Sequence, residues 1–431
     1  MVVGKDGRSF ITMHFDRMIG ARSWIRSGIK GIRRYTTAAA PPAPPLRGYT
    51  QLDRSLVSVA GPEATKFLNG IITNRLTQND DHDLYGFYAG FLNAKGRVMA
   101  DSFIYPAHNS TLLEGEIPEK YAGEPAYVVD CDSQIASTLL SMLKMFKLRA
   151  KVHISPLDSE KYKLWTVWDD TEITDELPLD FRNRSVFKPY VPDLVGATDN
   201  RASVDGRFGL RLVLPNQKTP LDVLSDAYVH AGEIEHSDIP SHDVRRMLFG
   251  IPEGVNEFIP EKSLPLENCM DYMGGVDFNK GCYVGQELTI RSYHHGVVRK
   301  RVIPVSLSLD GENYADQQLE YNPDEPLLSL INTSTCLPGS SIVDITGSIS
   351  AGQKPLAPSP FGGATSSSSA PKSSGNILAA VGNVGLALVR LEHFANLDAV
   401  FAIQVPNAHD NTTRNVYVKG FQPFWWPQPE E

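Results

Sequence analysis

The stretch FYAGFLNAKGRVMADSFIY (87–105) is apolar on both sides of Asn93-Ala94-Lys95-Gly96, the pattern of a β-hairpin turned by an asparagine and a glycine. Such a hairpin commits its neighbourhood to antiparallel pairing. LVSVAGPEATKFLNGIITN (56–74) alternates apolar residues and breaks at Gly61-Pro62. It then spaces Phe67 and Ile71 along one helix face, with Pro62 suited to the first helical position. YVVDCDSQIASTLLSMLKMF (127–146) predicts a strand and then a helix with Ile135, Leu139, Met142, Leu143 and Phe146 on one side. KLWTVW (163–168) and RFGLRLVLP (207–215) are further strands, while DVLSDAYVHAG (222–232) and SHDVRRMLFGIP (241–252) predict short helices ending at glycine. Strands and helices mixed without regular βα alternation predict an α+β body over residues 46–298.

From Arg299 the texture changes. RKRVIPVSLSL, AAVGNVGLALVRLEH and NVYVKGF continue a β signal to the end, which predicts a small β domain over 299–431. Within it, LAPSPFGGATSSSSAPKSSG (356–375) has nothing to bury and predicts a disordered insertion, with loop extending over about 311–377. A chain of 431 residues is long enough for two or three domains, and no apolar run approaches a membrane-helix length.

Charge divides the chain unevenly. Residues 1–45 hold eight Lys and Arg against two Asp, a net of +6, which leaves −15 for the remainder of a chain at −9. RMIGARSWIRSGIKGIRRYTTAAA places Met18, Ile19, Trp24, Ile25, Ile29 and Ile32 at helical intervals among arginines. Followed by the Pro-rich AAAPPAPP (38–45), this predicts a mitochondrial presequence and linker. The acidic remainder argues against nucleic-acid binding.

Nucleotide-binding glycine motifs are missing, and GNVG (382–385) reads as a turn. His294-His295 reads as a solvated helix end near Gly296, and Trp425-Trp426 as packing across a domain junction. The cysteines Cys131, Cys269, Cys282 and Cys336 form no CxxC pair. Cys282 stands apart, in FNKGCYVGQELTIRSYHHG. Gly281 and Gly285 flank it, Lys280 lies two residues away, and VGQELTIRSYHH is helix-compatible. A helix N-terminus and a nearby ammonium both favour thiolate, against the usual fate of a free cysteine as a small buried hydrophobe. One thiolate does not complete an iron–sulfur site, and nothing in the sequence brings Cys269 near.

Lys280-Gly281-Cys282-Tyr283-Val284-Gly285-Gln286-Glu287 matches the K-G-C-[FY]-x-G-Q-E signature of the YgfZ-type folate-binding proteins, relatives of the glycine-cleavage aminomethyltransferase (GcvT). With its basic leader the chain resembles the mitochondrial iron–sulfur cluster assembly factors of that family. The resemblance implies a ring-like α+β body that can hold a tetrahydrofolate-like molecule, with a C-terminal small β-barrel. It implies a mitochondrial matrix protein, not an enzyme, that works with A-type scaffold proteins and client [4Fe–4S] enzymes. Cys282 is then the metal ligand to a [2Fe–2S] or [4Fe–4S] cluster shared with the partner. In that setting Lys280 stabilises negative charge, or else is a solvated loop lysine, and Gln286 and Glu287 fix the helix start. By family position Glu267 is a pterin partner, or else a surface glutamate. Asn93 and Asp101 of the hairpin are further folate-side candidates, Asp101 orienting a folate nitrogen or ending a polar strand face. Where aminomethyltransferases usually carry paired acids after the hairpin glycine, this chain has Ala100-Asp101. A folate-dependent one-carbon transferase is the competing reading.

Overall fold

The computed structural model describes residues 40–76, 85–171, 179–202 and 208–427, except 312, 326, 328–336, 347–372, 397 and 407–412. The leader (1–39) and most of the Ser/Gly/Pro tract therefore lie outside the described residues. Along the chain run β1 (Arg47–Leu52), β2 (Arg54–Ala60), α1 (Ala64–Asn69), β3 (Phe87–Leu92), β4 (Val98–Pro106), β5 (Ala126–Asp132), α2 (Ala136–Lys147), β6 (His153–Pro156), β7 (Tyr162–Asp169), β8 (Val195–Asp199) and β9 (Gly209–Pro215). There follow α3 (Pro220–Val223), α4 (Asp226–His230), β10 (Glu235–His236), α5 (Ile239–Phe249), α6 (Gln286–His295), β11 (Lys300–Ser308), β12 (Ser341–Asp344), β13 (Ser373–Val381), β14 (Val384–Arg390), α7 (Leu391–Phe394), β15 (Phe401–Pro406) and β16 (Thr413–Gly420).

Two five-stranded sheets form the body, in the orders β10-β1-β7-β9-β8 and β3-β4-β5-β2-β6, and the strands from β11 onward close a six-stranded barrel. Antiparallel pairing prevails; β1 with β10 is parallel. The expected hairpin is β3–β4, with Gly90 opposite Asp101 and Ala89 opposite Ser102. One continuous apolar core joins Leu56, Phe103 and Val128 of one sheet, Leu164, Phe208 and Val213 of the other side, and Ile303, Val305 and Phe401 of the barrel. The Trp425 indole donates to the Phe249 carbonyl at 2.7 Å, which fixes the tail to the end of α5. No helix among the described residues is long and apolar enough to cross a membrane.

Local boundaries differ from the sequence expectation in three places. The first helix starts at Ala64 behind Glu63, so Pro62 lies just ahead of it. The helix expected over 222–232 is two, because Leu224 and Ser225 are extended and the Ser225 hydroxyl accepts from the Tyr228 amide to start α4. Within the span expected to be loop (311–377), Ser341–Asp344 is a barrel strand pairing with β13 and β15, and β13 already begins at Ser373. Four residues beside serines carry too little alternation to announce a strand; the open barrel edge recruits them.

Between the two sheets lies a buried ionic cluster. Arg54 of β2 reaches Asp130 at 2.7 Å and Asp101 at 3.2 Å, while Arg211 of β9 reaches Asp130 at 3.2 Å and Glu253 at 2.9 Å. Arg201 binds Glu253 and Asp199, each at 2.7 Å, and the Tyr105 hydroxyl donates to Asp130 at 2.6 Å. Although burial opposes it, the Arg211, Arg201 and Arg54 guanidiniums hold the Glu253 carboxyl well below the usual range. Removing one member of such a cluster strands its partners, so Arg54→Ala is expected to lose about 3–5 kcal/mol in denaturant unfolding. Since the folded-state value of Glu253 lies below its ordinary 4.5, its contribution is full above that pH and is lost as the pH falls through the depressed value. The wild-type melting temperature should thus fall between about pH 5 and 3, and Glu253→Gln should flatten that acid limb. Parallel acid limbs in the two proteins would show that Glu253 is not held this way.

Candidate functional site

The signature folds as a loop feeding α6. Gly285 is its N-cap, at φ +80°, so Cys282 lies three residues ahead of the cap. The Gln286 side-chain oxygen accepts from the Tyr283 amide at 3.1 Å, which closes the turn. Glu287 is exposed in the first helical turn, where a carboxylate complements the helix dipole. At the far end His294 and His295 are exposed before Gly296, as a solvated helix end requires.

What holds this loop is the segment following α1. The Thr73 hydroxyl donates to the Gly275 carbonyl at 2.6 Å and accepts from the Gly90 amide at 2.8 Å. The Asn74 carboxamide donates to Gly274 and Tyr88 carbonyls, Asp277 N–H donates to the Thr73 carbonyl, and Val284 N–H to the Gly70 carbonyl. Lys280 completes the clamp. Its ammonium donates to the Asn69, Ile72 and Asn74 carbonyls at 2.9, 2.7 and 2.6 Å. All three of its protons are committed, which corrects the expected role: Lys280 anchors the loop and has no donor left for a thiolate. Burial pulls the Lys280 amine down to about 8 against the attraction of Asp277.

Cys282 is exposed, whereas Cys131 and Cys269 are buried. Burial pushes each of the buried thiols up to about 12, and the Cys269 thiol donates to the Val302 carbonyl, so neither is a candidate ligand. Cys336 lies outside the described residues.

Two glycine turns meet here. A Cβ at Gly285 would stand 2.3 Å from the Asn93 carbonyl oxygen, and one at Gly96 (φ +72°) 2.9 Å from the Gly285 oxygen. The hairpin turn is thus the seat of the signature loop. Asn93 serves that turn, its side-chain oxygen accepting from the Lys95 and Arg97 amides at 2.9 and 3.1 Å. Gly281 differs: among the described residues, no atom beyond its chain neighbours lies within 4 Å of a Cβ built there.

The folate-side candidates do not converge. Asp101 is 2% exposed, with one carboxylate oxygen on Arg54 and the other accepting from the Gly254 amide at 3.1 Å. Glu267 instead lines a cavity of about 280 Å³ under α6, whose lining includes neither Asp101 nor Asn93. Glu267 thus lines a separate cavity from Asp101 and Asn93, whose side-chain oxygens are engaged within the protein. The cluster around Asp101 contains three guanidiniums, Arg54, Arg201 and Arg211, against the carboxylates of Asp101, Asp130, Asp199 and Glu253. Burial pushes the Asp101 carboxyl up, and Glu253 and Asp130 push it the same way against Arg54. Sequence spacing could not reveal this cluster, since its members are spread from residue 54 to residue 253.

Residues 299–428 match the family model of the CAF17 C-terminal beta-barrel domain. A mitochondrial iron–sulfur cluster assembly factor IBA57 homolog of Aspergillus fumigatus is 38% identical over 82% of this chain and 72% of its own length. The corresponding Neurospora crassa protein is 36% identical over 94% of this chain and 87% of its own. The chain belongs to the mitochondrial IBA57 family of iron–sulfur cluster assembly factors. Its fold is shared with the glycine cleavage system aminomethyltransferase T of Bartonella henselae, with a TM-score of 0.52 at 12% identity, covering 89% of this chain and 86% of that one. The α+β body with a small C-terminal barrel expected from the signature is therefore the fold of this IBA57-family chain, and the mitochondrial location expected from its leader agrees with the named relatives.

The two signature glycines should separate by stability. Gly285→Ala places a side chain in a left-handed backbone against the Asn93 carbonyl and is expected to cost about 1–3 kcal/mol. Gly281→Ala meets open space and should stay within about 0.5 kcal/mol of wild type. Urea unfolding of both variants reads the difference, and equal losses would contradict the seating described above.

Proposed function

We propose that this protein is an iron–sulfur cluster assembly factor of the mitochondrial matrix. Its Cys282 thiolate ligates a cluster held jointly with an A-type scaffold protein, in the maturation of [4Fe–4S] proteins such as aconitase, lipoate synthase and respiratory complexes. The observation that carries this reading is one exposed thiol on a loop whose backbone is clamped on both sides. A thiol held this way is presented at a fixed position to an incoming partner. Gly281 beside it leaves room for a second backbone to approach. Because iron–sulfur clusters usually take four protein ligands, a single thiolate makes a shared site.

Anaerobic mixing with the A-type scaffold tests the proposal by visible absorbance and co-elution. Wild type should retain a cluster in the complex; Cys282→Ser should lose the absorbance while keeping its melting temperature. Equal cluster retention by the variant would overturn it.

The folate-dependent transferase reading makes Asp101 its working carboxylate. The geometry favours a structural role, since both Asp101 oxygens are engaged inside the ionic cluster. Asp101→Asn is expected to lower stability by weakening the partner of Arg54 while leaving cluster retention in place. Turnover of 5,10-methylenetetrahydrofolate by wild type that stops in this variant would establish the transferase instead.

A further inference from the structure

We infer that the cavity beneath α6 binds the C-terminal residue of a polypeptide, an apolar side chain with its free carboxylate. The cavity lies between the inner face of α6 (Leu288, Thr289, Ser292), the segment Leu264–Glu267, and the start of β11. Its walls include Leu264, Leu266, Val297 and Val298, and Val297 is 82% exposed at the opening.

Three cations surround it: Arg299, Lys300 and Arg390. Lys300 and Arg390 stand directly opposite each other across the β11–β14 pair, an arrangement in which like charges repel. Among the described residues no carboxylate lies within 4 Å of any of the three; Arg301, the next residue, is by contrast paired with Asp271 at 2.8 Å. The sequence from Leu288 to Leu309 contains no Asp or Glu at all, in a chain of net charge −9. The remaining charge on the cavity wall is Glu267, also without an ion-pair partner among the described residues. Thr289 is 2% exposed, and its hydroxyl interacts with that of its buried neighbour Tyr283.

This combination selects the ligand. A volume of about 280 Å³ falls at the lower edge of the roughly 300–1,000 Å³ of drug-sized sites, so it suits one residue rather than a whole cofactor. An anion answers the three cations, a donor answers Glu267, and an apolar group answers Leu264 and Val298. An internal Asp or Glu brings no apolar group next to its carboxylate. A terminal apolar residue brings all three: its carboxylate for the cations, its backbone N–H for Glu267, and its side chain for the apolar wall. Leu288 of the same wall packs on Gly96, so the bound terminus sits against the element that seats the Cys282 loop.

Fluorescence anisotropy with the full chain tests it, using an N-terminally labelled hexapeptide, Gly-Ser-Gly-Ser-Ala-Leu, as free acid and as amide. The acid is expected to bind at least tenfold more tightly than the amide. Ser292→Phe, which fills the cavity, and Arg299→Ala, an exposed change that leaves the fold alone, should each weaken it at least tenfold. Cys282→Ala should bind the peptide as wild type does, so that failure here and failure of the cluster reading are read separately. Equal binding of acid and amide, undiminished binding by both cavity variants, or tighter binding of free leucine than of the peptide would overturn the inference.

Discussion

The ion pairs of Arg54 and Arg211 with Asp130 are the interaction on which the rest of this structure depends. Asp130 is fully buried and takes a guanidinium from each of the two sheets, as well as the Tyr105 hydroxyl. Apolar packing between sheets is tolerant of sliding, because methyl groups meet methyl groups in many registers. A buried charge is not tolerant, since each lost partner leaves a desolvated ion. The cluster thereby fixes how β2, β4 and β5 face β9, and Glu253 extends the constraint to the segment that follows α5.

That fixed relation carries through to the signature. The hairpin β3–β4 is held along its length by Asp101 in the cluster and at its turn presents Gly96 to Gly285. Lys280 ties the same loop to the end of α1. The exposed cysteine is therefore the outermost point of a chain of rigid contacts that begins in the ionic core. Two turn glycines are needed at the join because two backbones approach more closely than a Cβ allows.

Much of this was legible along the chain. Alternation with a glycine-bearing turn marked β3–β4, helical spacing marked α2, and the glycine after Phe249 marked the end of α5, where Gly250 is left-handed. The signature marked Cys282 and the helix after it. The split into α3 and α4 was not legible, because a single capping serine decides it. Nor was β12, whose four residues are a strand on account of the barrel edges on either side. The partners of Lys280 were not legible either: the thiol lies two residues away in sequence, whereas the carbonyl acceptors lie more than two hundred residues earlier.

The sequence by itself determined the kinds of elements, the α+β class, the small C-terminal β domain and the one cysteine worth attention, since those follow from periodicity, turn chemistry and an eight-residue signature. Tertiary structure alone decided what the charged residues do. It placed Asp101 in an ionic cluster, Glu267 under α6, and Lys300 opposite Arg390. Apolar periodicity is local and can be read within a dozen residues. The partner of a charge is set by which strands the fold brings together, and those strands are distant in the chain.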